Sequence, residues 1–417
     1  MKRTTLLITL PAFCLSMICA SGQEQRPPKR DQGRKYTLEQ AVSDRAQLNT
    51  IAFDGLAFLT GNFGSCTFLP PGKVSDYFGF QYMRDIDAGE KGHNTSFLTR
   101  IANNTLAALN EAQMAQLVAL GKEQAPLIRE LAIKRFPLIK AFNRQLEGDI
   151  PPGGSSGLDR AAVMHYSAAM WELDGSLAYR RAQVTGAIIR SLDEKQKASL
   201  AKLKFGDSST WPEIPEPFDK RSLSHDVHVA VMTYGSEMFS WYAGSLDADV
   251  YFCPERHGTY FGSFYMKDAP AMGKRNYSIS TALTGDSGEA FLATLTAPQR
   301  ELITSLPEIQ RKNLMEIVQT RRAIAVELRK FMKQDSADKT LVLKLSRRYG
   351  ELDGEMSYYY ATRFAAVNKT LTAEQKAKLM KLRNLDDFPC TGAYVYSERI
   401  DVPEIPNTDF LFGVNGK

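Results

Sequence analysis

The sequence predicts a mainly α-helical protein built from two tandem homologous units related by a pseudo-two-fold axis, with aromatic, Gly/Pro-rich loop segments between the helices. Three observations carry this expectation. An aromatic block occurs twice, long apolar periodicities of helical spacing recur at matched positions, and four segments share the pattern of a helix start.

The duplication sets the organisation. Tyr77 to Asp85 (YFGFQYMRD) returns as Tyr260 to Asp268 (YFGSFYMKD), an offset of 183. Leu109, Gln113, Ile128, Leu131, Leu138, Phe142 and Leu146 correspond to Leu295, Gln299, Leu314, Ile317, Ile324, Leu328 and Met332 at an offset of 186. Glu172-Leu173-Asp174-Gly175 matches Glu351-Leu352-Asp353-Gly354 at 179, so copy one holds seven extra residues, which fall in the Pro- and Gly-rich loop from Gly148 to Gly157. Trp211 to Pro215 recurs as Val402 to Pro406 at 191, which places an insertion of about twelve residues around Cys390 in copy two. The expected boundaries are a signal peptide over 1–22, a disordered lead-in over 23–39, helical units over 40–221 and 222–412, and a tail over 413–417.

Within each copy the helices follow from spacing. Leu117, Leu120, Leu127, Leu131, Leu138, Phe142 and Leu146 recur at three, four or seven residues. Pro137 interrupts this run and is expected to kink or divide the helix, because proline lacks the amide proton and crowds the preceding turn. Further helices are expected from Leu158 to about Arg190, from Asp193 to Lys204, from Leu341 to Lys369 and from Thr372 to Arg383. Residues 60–95 and 241–278 lose helical periodicity and read as loops with short strands. Gly175 and Gly354, inside helical runs, read as sites of close helix approach.

The ends and the composition bound the function. Lys2 and Arg3, the apolar run from Leu6 to Cys19 and the small residues Ala20, Ser21 and Gly22 form a secretory signal peptide, and the run is shorter than the roughly 20 residues of a bilayer span. Lipid attachment is disfavoured, since Ile18 precedes Cys19 and Phe13 precedes Cys14 where a small residue is needed. The expected location is periplasmic or secreted. Without Lys2 and Arg3 the 52 Lys and Arg become 50 against 47 Asp and Glu, a net +3 that lacks the concentrated basic field of a nucleic-acid binder. No CxxCH, GxSxG, HExxH or phosphate-loop pattern is present, so neither a cofactor nor a catalytic residue is expected.

The four helix starts are Leu109-Asn110-Glu111-Ala112-Gln113, Leu192-Asp193-Glu194-Lys195-Gln196, Leu295-Thr296-Ala297-Pro298-Gln299 and Leu371-Thr372-Ala373-Glu374-Gln375. Each reads as a capping box, in which the Asn, Asp or Thr side chain accepts an amide of the first turn and Gln reaches back to the cap residue, stabilising the helix by about 1 kcal/mol. The Leu-Thr-x-x-Gln form at Leu295 and Leu371, in an exported helical chain, resembles the Spy/CpxP family of periplasmic stress proteins. That resemblance implies a curved helical dimer that shields unfolded clients or senses envelope damage, here as a fused pseudo-dimer on one chain. Copy one carries Asn110 and Asp193 in place of threonine.

The candidate client or ligand surface is the repeated aromatic block, Phe78, Phe80, Tyr82 and Arg84 with Phe261, Phe264, Tyr265 and Lys267, where rings and a cation return together. Weaker metal candidates are His225 and His228, three residues apart, Cys253 with His257, and His93 beside Asp85, Asp87 and Glu90. Copy one has Val74 opposite His257 and Pro70 near Cys253, which argues against an inherited metal site. The expected function is therefore an ATP-independent binding protein of chaperone or envelope-stress type, with unfolded proteins as partners. A periplasmic ligand or metal carrier is the alternative, and an enzyme the third reading. Cys66, Cys253 and Cys390 outlast signal removal, and a Cys253–Cys390 disulfide is expected because neither cysteine has one at its matched position. On the chain-entropy account such a loop stabilises by roughly 4 to 5 kcal/mol. Differential alkylation of the mature chain before and after reduction should show both thiols protected. Free labelling of either refutes the pairing.

Overall fold

The computed structural model describes residues 44–60, 96–154, 156–203, 210–243, 287–383, 393–395, 398–400 and 404–414. These residues are mainly helical. In chain order they form α1 (Asp44–Thr60), α2 (Ser96–Leu106), α3 (Glu111–Glu147), α4 (Arg160–Ser191), α5 (Glu194–Ala201), α6 (His225–Ala243), α7 (Ser287–Thr294), α8 (Ala297–Thr304), α9 (Leu306–Arg329), α10 (Lys339–Asn368) and α11 (Ala373–Arg383). A hairpin of β1 (Ala393–Val395) and β2 (Glu398–Ile400) pairs antiparallel, with Tyr394 opposite Arg399.

The expected helices are present, with boundaries set by their caps. Asp159 accepts from the Ala162 amide and starts α4, and Asp338 accepts from the Leu341 amide and starts α10. Gly148, at φ 80°, ends α3 in the left-handed conformation that glycine adopts without a Cβ penalty. Pro137 does not divide its helix: α3 runs unbroken through both Pro126 and Pro137. The lost hydrogen bond is outweighed by the residues around it, since Phe136, Leu138, Ile139 and Phe142 are all buried. The division falls in copy two instead. There α8 stops at Thr304, and Leu306-Pro307 opens α9, where a first-turn proline needs no intrahelical acceptor. The expected strands over 60–95 and 241–278 lie outside the described residues, apart from the helical Thr60 and the end of α6. The hairpin observed follows Cys390, in the inserted segment to which the sequence assigned no element.

The largest helix contact is between α4 and α10, one helix from each copy. Small residues permit it. A Cβ on Gly350 would stand 2.7 Å from Ala168 Cα and from the Ser167 carbonyl oxygen, and one on Gly354 would stand 2.8 Å from Ser167 Cβ. Trp171 fills the space beside Gly350 and lies 3.9 Å, centroid to centroid, from the ring of Tyr349. Both rings are fully buried.

Beside this contact, α1 seats on helices of the second half of the chain and α6 on helices of the first. α1 packs on α7, with further contacts to α8, α9, α10 and α11, while α6 packs on α2 and α3. Glycines again mark the approaches. Gly55 of α1 meets Phe364 and Phe291, Gly235 of α6 meets Leu106, and Gly121 of α3 meets Val227 of α6.

Gly350→Ala should lower stability by about 1–3 kcal/mol, because the atoms it meets are backbone and cannot swing aside. Urea unfolding checks this. An unchanged midpoint would mean that α4 and α10 do not approach so closely.

Candidate functional site

The four helix starts meet in pairs. In copy one, Asn110 and Gln113 form a complete capping box at α3, and Asp193 and Gln196 form another at α5. The two glutamines then bond each other: Gln196 Nε2 donates to Gln113 Oε1 at 2.6 Å, and the return contact is 3.4 Å. Gln113 also donates to Ser191 Oγ at 2.9 Å, and Gln196 to the Ala108 carbonyl at 2.9 Å. Copy two repeats the arrangement. Gln375 Nε2 donates to Gln299 Oε1 at 2.8 Å, and Gln299 donates to the Thr370 carbonyl and Gln375 to the Thr294 carbonyl. Each Leu-x-x-x-Gln segment thus caps its own helix and is clasped to the next. The Asn, Asp and Thr residues face solvent, whereas Gln113, Gln196 and Gln299 are buried.

A second pair of glutamines, Gln124 and Gln310, occupies matched positions at the 186 offset and holds the exchanged helices. Gln124 accepts from the Tyr234 hydroxyl of α6 at 2.7 Å and donates to the Leu177 carbonyl of α4 at 2.9 Å. Gln310 accepts from the Tyr360 hydroxyl of α10 and donates to Gln47 Oε1 of α1 at 2.8 Å. Both glutamines are almost wholly buried. Each joins the two long helices of its own unit to the first helix of the other.

Charged groups lie in the same interior. Arg181 of α4 and Glu237 of α6 form an ion pair at 3.2 Å with side chains 1% and 4% exposed, and the guanidinium sits 4.9 Å from the Tyr234 ring centroid. Arg135 and Arg321, again matched at 186, are buried, as are Asp174 and Asp353 from the Glu-Leu-Asp-Gly repeats and Asp54 from α1. Asp353 accepts from the Trp171 indole nitrogen at 3.1 Å, which ties the two halves across the α4–α10 contact. Burial and the nearby Asp54 and Asp353 carboxylates push the Tyr360 hydroxyl well above its ordinary pKa, so it remains a donor to Gln310. Charges so placed disfavour any arrangement that separates them, because a buried charge that loses its partner costs several kcal/mol.

The sequence-predicted site lies largely elsewhere. Phe78, Phe80, Tyr82, Arg84, Phe261, Phe264, Tyr265, Lys267, His93, Cys253, His257 and Cys390 are outside the described residues. His225 and His228 are on α6. His225 is exposed at the helix start, and His228 Nε2 is 3.2 Å from Glu216 Oε1, with its ring against Phe218. Among the described residues no group of three His, Cys, Asp or Glu side chains is placed to hold a metal. Sequence reasoning passed over Gln124, Gln310, Arg135 and Arg321. Their signal was available, since two polar positions, Gln124 with Gln310 and Arg135 with Arg321, recur at 186 inside helices where most matched positions are apolar.

Comparison with protein-family models, with curated proteins and with solved structures finds no match to this chain.

Glu237→Gln should destabilise the fold by about 3–5 kcal/mol, since the buried Arg181 loses the Glu237 carboxylate. A loss under 1 kcal/mol in urea unfolding would show that the pair is not desolvated. In a double-mutant cycle, Gln113→Ala and Gln196→Ala should couple by about 0.5–3 kcal/mol, whereas two independent caps would add.

Proposed function

We propose that this chain is an exported, nucleotide-independent binding protein of chaperone or envelope-stress type, acting as a pseudo-dimer fused on one chain. The observation that carries the reading is the paired clasp. The motif that resembles the Spy/CpxP family is built twice in the same way, Gln113 with Gln196 and Gln299 with Gln375. The exchange of α1 and α6 supports the fused pair, because it is the geometry of two interlocked protomers. No described helix is long and apolar enough to cross a membrane, which accords with a mature protein free in its compartment.

The client surface in this reading is the repeated aromatic block, which follows α1 and α6 in the chain. Aromatic rings offer large contact area with little side-chain entropy to lose, and Arg84 and Lys267 add a cation beside each set. Binding would then draw on apolar contact aided by these cations, with no nucleotide-driven step.

Light scattering of a chemically denatured client, diluted with and without an equal molarity of mature protein, tests the proposal. Protection should appear without nucleotide. Changing Phe78, Phe80, Tyr82, Phe261, Phe264 and Tyr265 to Ser should remove most of it while circular dichroism shows the helices retained. Absence of protection, together with stoichiometric uptake of a metal or small molecule in calorimetry, would replace this reading with the carrier.

A further inference from the structure

We propose that the C-terminal end of α3 and the N-terminal end of α4 form a groove for a short peptide in which an acidic residue precedes an aromatic-leucine-aromatic run, and that Thr408–Phe412 is its occupant in cis. The proposal does not rest on the chaperone reading.

The groove recognises this segment at every position. Arg144 Nη1 donates to Asp409 Oδ1 at 2.7 Å and to Thr408 Oγ1 at 3.0 Å, and its guanidinium carbon lies 4.9 Å from the Phe412 ring centroid. Asp149 braces the same arginine from the other side, accepting from Nε at 2.7 Å. The Asp159 amide donates to the Leu411 carbonyl at 2.8 Å, and Lys140 Nζ donates to the Ile405 carbonyl at 3.2 Å. Leu411 and Phe412 are fully buried, while Phe410 stacks on Tyr166 at 5.7 Å and remains partly exposed. The hydrogen bond from Arg144, with a second from Asn407, holds the Asp409 carboxyl below its ordinary pKa, so the segment presents a fixed negative charge. Inside it, Leu411 and Val414 amides bond back to Thr408 and Asp409, a single turn that closes at Gly413 with φ 77°. The peptide therefore carries its own shape, as short recognition motifs do.

The groove stands on helices that have counterparts in copy two, but its contacting residues differ there. Asp149 and Gly154 lie in the loop that copy one holds and copy two lacks, and Thr408–Phe412 follows Pro406, where the last repeated block ends. At the matched place in copy two, Lys330 stands for Arg144 and pairs with Glu327 on its own helix, and Leu345 stands for Tyr166. Residues peculiar to the first copy thus form a cationic, aromatic cradle, and the segment after the last repeated block meets it as an acidic, aromatic ligand. A partner protein presenting the same chemistry would compete for the cradle.

The test uses the full mature chain and a fluorescein-labelled peptide of residues 407–414. Asp409→Lys combined with Phe412→Ser should empty the groove, and this variant should bind the peptide at least ten-fold more tightly than the unsubstituted chain in fluorescence anisotropy. Adding Arg144→Glu should abolish that binding. A folded vacated variant that fails to bind the peptide overturns the proposal. Should that variant not fold, hydrogen exchange on the unsubstituted chain decides. The amides of Leu411, Gly413 and Val414 should exchange at least ten-fold faster than those of Leu352 and Met356 in α10, and faster still with excess unlabelled peptide. Exchange in step with α10 and indifferent to peptide makes the segment a fixed part of the fold and refutes the inference.

Discussion

The close approach of α4 and α10 is the constraint on which the rest depends. Two helices carrying ordinary side chains pack with axes some 8–10 Å apart, and side chains hold the backbones from touching. Here Gly350 and Gly354 remove that spacing, so the backbone around Ser167 and Ala168 comes within van der Waals reach. Trp171 and Tyr349 then share one buried layer, and the Trp171 indole finds Asp353 on the opposite helix. Because each helix is flanked by its own long neighbour, α3 or α9, fixing this one crossing fixes the placement of both helical pairs.

Apolar burial supplies most of the stability but specifies little about register. The matched apolar positions Leu131, Leu138 and Phe142, with Ile317, Ile324 and Leu328, are all buried and would pack in several slightly shifted arrangements. Polar groups in the interior remove that freedom. Gln124 and Gln310 each join three helices, and Arg181 is paired with Glu237, so a slip of one residue strands donors away from water. The clasps do the same at the ends of the helices. There Gln113 bonds the side chains of Ser191 and Gln196, and Gln299 bonds the Thr370 carbonyl and the side chain of Gln375.

Local structure was legible where one short segment suffices to encode it. Asn110 to Gln113 and Asp193 to Gln196 read as capping boxes and fold as such, and helix boundaries fell within a few residues of Asp159 and Asp338. Gly354 read as a packing glycine, and it is one. The division of a helix was misplaced from Pro137 to Pro307, because whether proline breaks a helix depends on the packing around it, which spacing alone does not report. Non-local relations were not legible at all. Nothing in Gln113 says that it will meet Gln196, and nothing in residues 44–60 says that they will seat on the second unit. The buried charges were overlooked for a related reason: nothing local to Arg135 or Arg321 says that packing will bury it.

The exchange itself has a chemical explanation once the copies are aligned. Carrying the offset of 183 back from the aromatic block onto the first helices sets Gln47 opposite Ala230, Ile51 opposite Tyr234 and Asp54 opposite Glu237. The segments 61–95 and 244–286 are both long, and the entropy of closing a connection varies only slowly with its length, so the choice of bundle rests with the contacts. If α1 sat on its own copy, Ile51 would replace Tyr234 beside Gln124, and the buried amide would lose the hydroxyl it now accepts from. If α6 sat on its own copy, Ala230 would replace Gln47 beside Gln310, and a second amide would lose its acceptor. Each unmet polar group costs about 1–3 kcal/mol in a site closed to water. The shorter Asp54 would also stand in for Glu237 opposite Arg181. The two first helices differ at the positions that face these glutamines, and with those residues it is the crossed arrangement that satisfies both.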